Sequence, residues 1–459
     1  MRLPVPVRVA LVLARELLRA LAFPLHCAAY LVQRGSWERS VKRALTAPVA
    51  APTADPDVAE LLPAQPTGAA RRPPHIFVST GEPSGETHAA AILRAVNEAG
   101  VEARWSGFGG PALRDAGADV LAPLSEHPIM GVRGVLHAVP FLVRVVARFI
   151  RVLRDDRPDL VVLVDYPGLH MVLGQLAREH GVPVLHYIAP QLWAWAPWRM
   201  RRYRGCVDAT LTILPFEPAY FGAHGVRATY VGSPVLDHLE RYAAAGQVDV
   251  RAFRTVGLMP GSRRSELVGN LPHFIELARG LRADHPDLRF VLPHVDERRA
   301  PLIRELLAAH DGDAFIDFVA AAPAQVLRDA RVVLAKSGTG SLEVSLCGVP
   351  TVVVYKIHGW FSDLLYRKFI TVPWIGASNL IAGRQVVPEQ VFADDAGWAR
   401  VDAAVRELLE DGPPRRACIA DLTELRARLG EPGADARVAA IVVRHCGLAP
   451  TRTASAPAR

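Results

Sequence analysis

The chain is short of everything that would hold or anchor it by means other than a packed core. Five cysteines are scattered over 459 residues (Cys27, Cys206, Cys347, Cys418 and Cys446), with no Cys-x-x-Cys pair. That excludes structural zinc and a disulfide framework, and points to free thiols in a reducing compartment. No run approaches the ~20 apolar residues that span a bilayer. Between residues 7 and 32 the apolar stretch is broken by Arg8, Arg15, Glu16 and Arg19, leaving only 20–32 free of charge. The same interruptions fall where a signal peptide needs an unbroken apolar region. There is no short-period repeat, no Walker A ending and no G-x-G-x-x-G fingerprint. No Asp-x-Asp stands near the loops considered below, so the sequence calls for neither a metal nor a cofactor.

What is present is a globular composition, 50% hydrophobic and 22% charged. At about 100–200 residues per domain, the length predicts two large domains. The net charge of +7 is uneven: residues 1–74 hold ten Lys and Arg against five Asp and Glu. A basic excess inside an apolar segment favours a membrane surface over nucleic acid. Residues 1–46 therefore read as an amphipathic, membrane-associated extension lying in the interface. Residues 47–74, rich in Ala, Pro and Thr, read as a linker, so removing residues 2–74 is expected to leave a folded core.

From His75 onward short apolar runs alternate with helix-length segments, the signature of a parallel α/β fold. Candidate strands cover 75–79, 160–164, 182–188 and 209–214, then 255–259, 288–292, 331–335 and 351–355. Two such series predict two Rossmann-like domains facing across a cleft, residues 75–250 and 251–430. Residues 431–459 form a terminal segment, with a helix over 434–445 and a disordered tail.

Ligands of open α/β sheets sit beyond the carboxyl ends of the strands, so the loops there carry the chemistry. Four are unusual. Thr80-Gly81-Glu82-Pro83-Ser84-Gly85-Glu86 is a tight turn opening a helix, whose N-terminus can hold an anion. Asp165-Tyr166-Pro167-Gly168-Leu169-His170 places a carboxylate at the end of a buried strand. Partial desolvation there would raise its pKa toward that of a useful base, and an N-cap role explains it equally well. Pro260-Gly261-Ser262-Arg263-Arg264-Ser265-Glu266 pairs a backbone anion nest with arginines, and a diphosphate is its natural guest. Lys336-Ser337-Gly338-Thr339-Gly340-Ser341-Leu342-Glu343 is another strand, small-residue turn and helix start. Glu343 there is placed to accept sugar hydroxyls or simply to pair with the helix dipole. Two anion loops in the second half and a carboxylate in the first divide the labour as a GT-B glycosyltransferase does.

Two further features bear on the surface. Trp193, Trp195 and Trp198 interleave with Arg199, Arg201, Arg202 and Arg204, a pattern that suits an amphiphilic lipid phosphate better than stacked bases. The competing reading makes the tryptophans core and the arginines a solvated face. Arg144, Arg148, Arg151 and Arg154 form one stripe of a basic amphipathic helix over 140–154, which lies on anionic lipid or packs on the sheet.

These motifs together resemble the lipid-A-disaccharide synthase family. The resemblance runs from about Ile76 to Phe392. It rests on Gly81-Glu82-Pro83-Ser84-Gly85, Gly107-Phe108-Gly109-Gly110-Pro111, Ile129-Met130-Gly131, Asp165-Tyr166-Pro167 and Ala189-Pro190-Gln191-Leu192-Trp193-Ala194-Trp195. Leu214-Pro215-Phe216-Glu217, Pro260-Gly261-Ser262-Arg263, Ser337-Gly338-Thr339, Ser378-Asn379-Leu380-Ile381-Ala382-Gly383 and Val387-Pro388-Glu389 continue it. It implies a GT-B fold and an inverting hexosyltransferase of lipid A biosynthesis, peripheral on the cytoplasmic face of the inner membrane. The implied reaction moves 2,3-diacylglucosamine from UDP to 2,3-diacylglucosamine 1-phosphate and releases UDP. The expected partners are therefore that donor, that acceptor and a membrane surface, without nucleic acid; a homodimer is compatible.

Asp165 matches the family's catalytic carboxylate, and Glu82 is the second candidate. Gly81, Ser84, Gly85 and Met130 stand in the first-half motifs. Gly261, Ser262, Arg263 and Asn379 match the donor side, with Ser337, Gly338, Thr339 and Glu343 in the nucleotide loop. Trp193, Trp195, Arg199 and Arg201 are the expected acceptor or membrane contacts. Four positions depart from the family pattern: Gly134 for the usual Glu, His170 for Asn, Glu86 for Asp and Ser233 for His. The competing readings are another GT-B enzyme using a UDP-sugar (an epimerase, or a transferase to a different lipid acceptor) and a non-catalytic lipid-binding relic.

Overall fold

The computed structural model describes residues 3–49, 52, 61–62, 73–127, 131–244 and 254–446. The chain divides into two compact units, residues 1–232 with 433–459, and residues 233–432.

The first unit is built on seven parallel strands: β1 (His75–Thr80), β2 (Arg104–Phe108), β3 (Asp119–Ala122), β4 (Leu160–Val164), β5 (Val184–Tyr187), β6 (Ala209–Thr212) and β7 (Ala228–Tyr230), in the order β3-β2-β1-β4-β5-β6-β7. All residues of β1 and β4 are buried, as strands covered on both faces require. The second unit has six parallel strands: β8 (Thr255–Met259), β9 (Arg289–Pro293), β10 (Ile316–Val319), β11 (Val332–Lys336), β12 (Thr351–Lys356) and β13 (Glu389–Phe392), in the order β10-β9-β8-β11-β12-β13. The strand order reverses direction between β1 and β4 in one sheet and between β8 and β11 in the other. Such switch points are where doubly wound sheets bind ligands.

The helices that matter below are α1 (Val5–Leu21), α2 (Phe23–Leu45), α3 (Pro83–Glu98), α4 (Gly131–Arg151), α5 (Pro167–Glu179), α6 (Pro234–Ala244), α7 (Arg264–Asp284), α8 (Thr339–Leu346), α9 (Ala377–Ala382) and α10 (Ala434–His445). Pro83 and Pro167 start α3 and α5, where a missing N–H costs nothing and the fixed φ favours the helix. α10 packs on α3 within the first unit, and its Asp435 takes hydrogen bonds from Tyr187 Oη (2.9 Å) and His88 Nδ1 (3.2 Å).

The structure draws three boundaries differently from the sequence reading. The first unit ends at Gly232, not near residue 250, so α6 belongs to the second. Residues 1–46 are not a detached extension: Tyr30 and Val41 are fully buried, and α2 packs on the short helix Glu217–Ala223. Within the expected linker, Leu61 and Leu62 join the core of the first sheet. Removing residues 2–74 would therefore strip a packed layer from the first unit. Of the two readings of the basic helix, the structure shows packing on the sheet: Phe149 lies 4.8 Å from Phe77, while Arg144, Arg148, Arg151 and Arg154 remain exposed. No helix among the described residues is long and apolar enough to cross a membrane.

Candidate active site

The four loops singled out in the sequence follow β1, β4, β8 and β11, the strands flanking the two switch points. In the first unit, Asp165 leaves β4 in the left-handed region (φ 54°), and Tyr166 follows it there (φ 50°). Two consecutive non-glycine residues in that region store backbone strain of roughly 1–3 kcal/mol each, which the surroundings must over-determine. Two buried histidines do so. His170 Nδ1 and His186 Nε2 both donate to the Asp165 carbonyl, at 2.6 and 3.0 Å. Behind them the Ser79 hydroxyl lies 2.9 Å from His170 Nε2, and Tyr203 Oη lies 3.0 Å from His186 Nδ1 and 2.8 Å from Thr210 Oγ1.

Burial pushes His170 down to about 3, aided by neighbouring His186, and His186 down to about 4. Both rings are therefore neutral at physiological pH, each with one N–H directed at the carbonyl. The Asp165 carboxyl itself is raised by burial, against the opposing effects of the Tyr166 backbone N–H and His88. A raised carboxyl is a better proton acceptor at pH 7 than an ordinary aspartate.

Gly81 serves this geometry: a Cβ there would stand 2.2 Å from the Tyr166 ring, whereas at Gly85 it would meet Asp165 Cβ only at an ordinary 3.8 Å. Glu82 begins α3 with an extended backbone, its carbonyl taking the Glu86 N–H at 3.0 Å, and Ser84 is exposed in the first turn. Glu86 is committed to the fold: its carboxylate accepts the Leu113 N–H (3.1 Å) and the Ser125 hydroxyl. Met130 lies outside the described residues.

In the second unit, Gly261 (φ 124°) turns the chain after β8. The nest is not open as the sequence suggested. Glu266 Oε2 accepts the N–H groups of Ser262 and Arg263, at 3.0 and 3.2 Å, and Oε1 pairs with Lys336 Nζ at 2.9 Å. The local reason is a reciprocal cap at the start of α7, with Glu266 one turn in. Burial alone would raise the Glu266 carboxyl; Lys336 and the two N–H donors outweigh it and hold it below its usual value. Glu266 thus ties the β8 loop to the β11 loop, a role the sequence reading missed although a glutamate three residues beyond an N-cap position signals it. The donors left for an anion are the exposed Arg263 side chain and the start of α8, where Gly338 and Thr339 are exposed.

Ser337 is buried, its hydroxyl bound to the Ile375 carbonyl at 3.2 Å. Glu343 lies buried one turn into α8, with Oε1 3.6 Å from His238 Nδ1 on α6. Asn379 on α9 is corrected from donor contact to scaffold. Its Oδ1 accepts from Val386 and Val387 N–H (2.8 and 3.0 Å), while Nδ2 donates to the Val387 carbonyl and Glu389 (both 3.1 Å). That amide has no capacity left for a ligand.

The tryptophan cluster also divides. Trp193 is 2% exposed, with its Nε1 bonded to Glu217 at 3.0 Å. Burial lifts Glu217 to about 7, against the hydrogen bonds from Trp193 and from the Leu214 and Ile213 N–H groups. Trp193 is core and has no face to offer a membrane. Trp195 is 42% exposed, Arg201 is exposed, and Arg199 is half-buried with one guanidinium nitrogen 3.7 Å from Met171 Sδ. Among the described residues no three His, Cys, Asp or Glu side chains converge as a metal site.

Comparison with known proteins gives the family and the fold. A family model described as lipid-A-disaccharide synthetase matches residues 76–428. The chain is 35% identical over 387 residues to the lipid-A-disaccharide synthase of Acidobacterium capsulatum, covering 81% of this chain and 96% of the relative. It is 37% identical over 369 residues to that of Anaeromyxobacter dehalogenans, covering 79% and 95%. Among solved structures it resembles a glycotransferase of kitacinnamycin (TM-score 0.54, 20% identity, 82% of this chain and 99% of the other). It also resembles the UDP-GlcNAc 2-epimerase of Neisseria meningitidis solved with UDP-GlcNAc (0.51, 12%, 81% and 99%). At these identities the structures speak for the fold alone.

Two parallel-sheet α/β units with this topology define the GT-B fold, and the named relatives make the class that of a glycosyltransferase. Within that class, the chain belongs to the lipid-A-disaccharide synthetase family.

Proposed function

We propose that the chain transfers 2,3-diacylglucosamine from its UDP conjugate to 2,3-diacylglucosamine 1-phosphate, with Asp165 as general base. The acceptor hydroxyl gives its proton to the Asp165 carboxylate while its oxygen bonds to the anomeric carbon. The bond from that carbon to the UDP oxygen breaks, and UDP leaves with the electron pair. Arg263 and the start of α8 meet the charge that builds on the diphosphate, and the Glu343 carboxylate takes the sugar hydroxyls. Acylated substrates locate the work at a membrane surface, here the cytoplasmic face of the inner membrane. The observation that carries the reading is the strained, histidine-held Asp165 at the first switch point, its carboxyl raised by burial.

Incubation with both substrates, followed by mass spectrometry for the disaccharide and UDP, tests it. The expected result is disaccharide and UDP in equal amounts. UDP without disaccharide would replace the acceptor, and intact donor with no turnover would reject catalysis.

A further inference from the structure

α1 is turned inside out. Its charged residues face the protein: Arg8 and Arg15 each reach Glu179 at 3.0 Å. Arg202 grips Glu16 through two bonds of 2.8 and 3.0 Å, and Arg19 bonds Gln175 at 3.2 Å. The opposite face is apolar and uncovered. From Leu3 to Val32 no Asp, Glu, Lys or Arg is exposed, and His26 is the one exposed polar side chain. Leu17, Leu18, Leu21, Leu25 and Val32 are all more than 60% exposed, Leu25 at 74% and Val32 at 88%. A water-facing helix places its charges outward; this one spends them on docking and presents leucines instead. The face is continuous across the α1–α2 junction, beyond the scattered single hydrophobes normal on a surface.

We infer that the exposed face of α1 and the first half of α2 inserts into the headgroup–acyl boundary of an anionic lipid bilayer. Three observations select lipid over a protein partner. Neither helix is long and apolar enough to cross a membrane, which leaves the interfacial mode. Apart from Glu179, which is paired to Arg8 and Arg15, the surrounding exposed charge is basic: Arg39, Lys42 and Arg43 close α2, and α4, packed against α1, adds Arg144 and Arg148. Trp195, 42% exposed, stands beside Trp198, whose ring contacts Phe23 (6.2 Å) and Tyr30 (5.2 Å), an aromatic border suited to the headgroup level. The family match begins at residue 76, so this surface belongs to a part of the chain outside it. The inference deepens the proposed function by naming the surface that meets the membrane, and it rests on that reading only for its purpose.

The test uses the full chain and the variant Leu17→Ser/Leu18→Ser/Leu21→Ser/Leu25→Ser, which changes only exposed side chains. Both are sedimented with phosphatidylcholine vesicles, with and without phosphatidylglycerol, at low and high salt. The full chain is expected to bind the anionic vesicles, and the variant to lose about tenfold or more of its affinity while keeping its thermal midpoint. Transfer between detergent-dispersed substrates is measured separately and should be unchanged, so that failure of the activity and failure of the surface are told apart. Equal vesicle binding by the two proteins would overturn the inference. So would a lipid-free oligomer of the full chain that the variant dissociates without any change in vesicle binding, since a second copy would then be the occupant.

Discussion

The two switch points solve opposite problems. In the first unit the proposed base is fixed before any ligand arrives: Asp165 is strained, half-buried, and held through its own carbonyl by two neutral histidines. In the second, the loop amides are satisfied by Glu266, and the donors left are the exposed Arg263 side chain, loosely paired with Glu266 at 3.6 Å, and a short helix start. A base must be aimed, because proton transfer demands a set distance and direction. A diphosphate is large and doubly charged, and an exposed cation on a satisfied scaffold meets it adequately. Rigidity is concentrated where direction matters.

The largest effect that would break this contrast is at Asp165. Asp165→Asn is expected to lower kcat by about 10²–10⁴-fold with donor affinity kept. Because burial raises this carboxyl, the folded state disfavours its ionised form, and stability is lost as pH rises through that group's titration. The same variant should therefore melt higher than the parent at pH 7, and the acid limb of kcat/KM should lie above the ordinary aspartate value. Near-normal turnover would hand the base role to Glu82, since Glu86 and His170 are already engaged.

Next comes the clamp. His170→Ala removes one donor to the Asp165 carbonyl and strands the Ser79 hydroxyl, costing about 1–3 kcal/mol in urea unfolding. It should lower kcat about tenfold with the donor KM unchanged. His170→Asn, which keeps a side-chain N–H donor, should recover part of the loss. Equal damage to kcat and KM would mean that the histidine only supports folding.

In the second unit, Arg263→Ala should raise the donor KM about tenfold, as for the loss of one charge-assisted contact, and leave the melting temperature alone. Smallest is Glu266→Gln. Its folded carboxyl is held below the usual value, so its stabilisation is present above the unfolded value near 4.5 and is lost as pH falls through the folded one. The variant should therefore flatten the acid side of the stability–pH curve, read by thermal melting from pH 3 to 7.

The legible part of this protein was local. β4 and β8 follow from runs of apolar residues, the helix Ala434–His445 from its pattern, and the four loops from their Gly, Ser and Pro content ahead of helix starts. Edge strands β3, β7, β10 and β13 escaped because they are short and carry exposed or half-exposed residues, which weakens the pattern, and β2 escaped with them. The anion loops were legible as backbone geometry. That Glu266 fills one of them, and that Asn379 is consumed by β13 and its approach, depends on partners up to ten residues away in a folded turn.

Sequence alone determined the α/β class, the aspartate that ends β4 and the amphipathic character of the first helix, because each is written in the spacing of neighbouring residues. Tertiary structure alone decided which face of that helix looks outward. Glu179 and Arg202, far along the chain, draw its charges inward, and a helical period carries no information about where its partners stand.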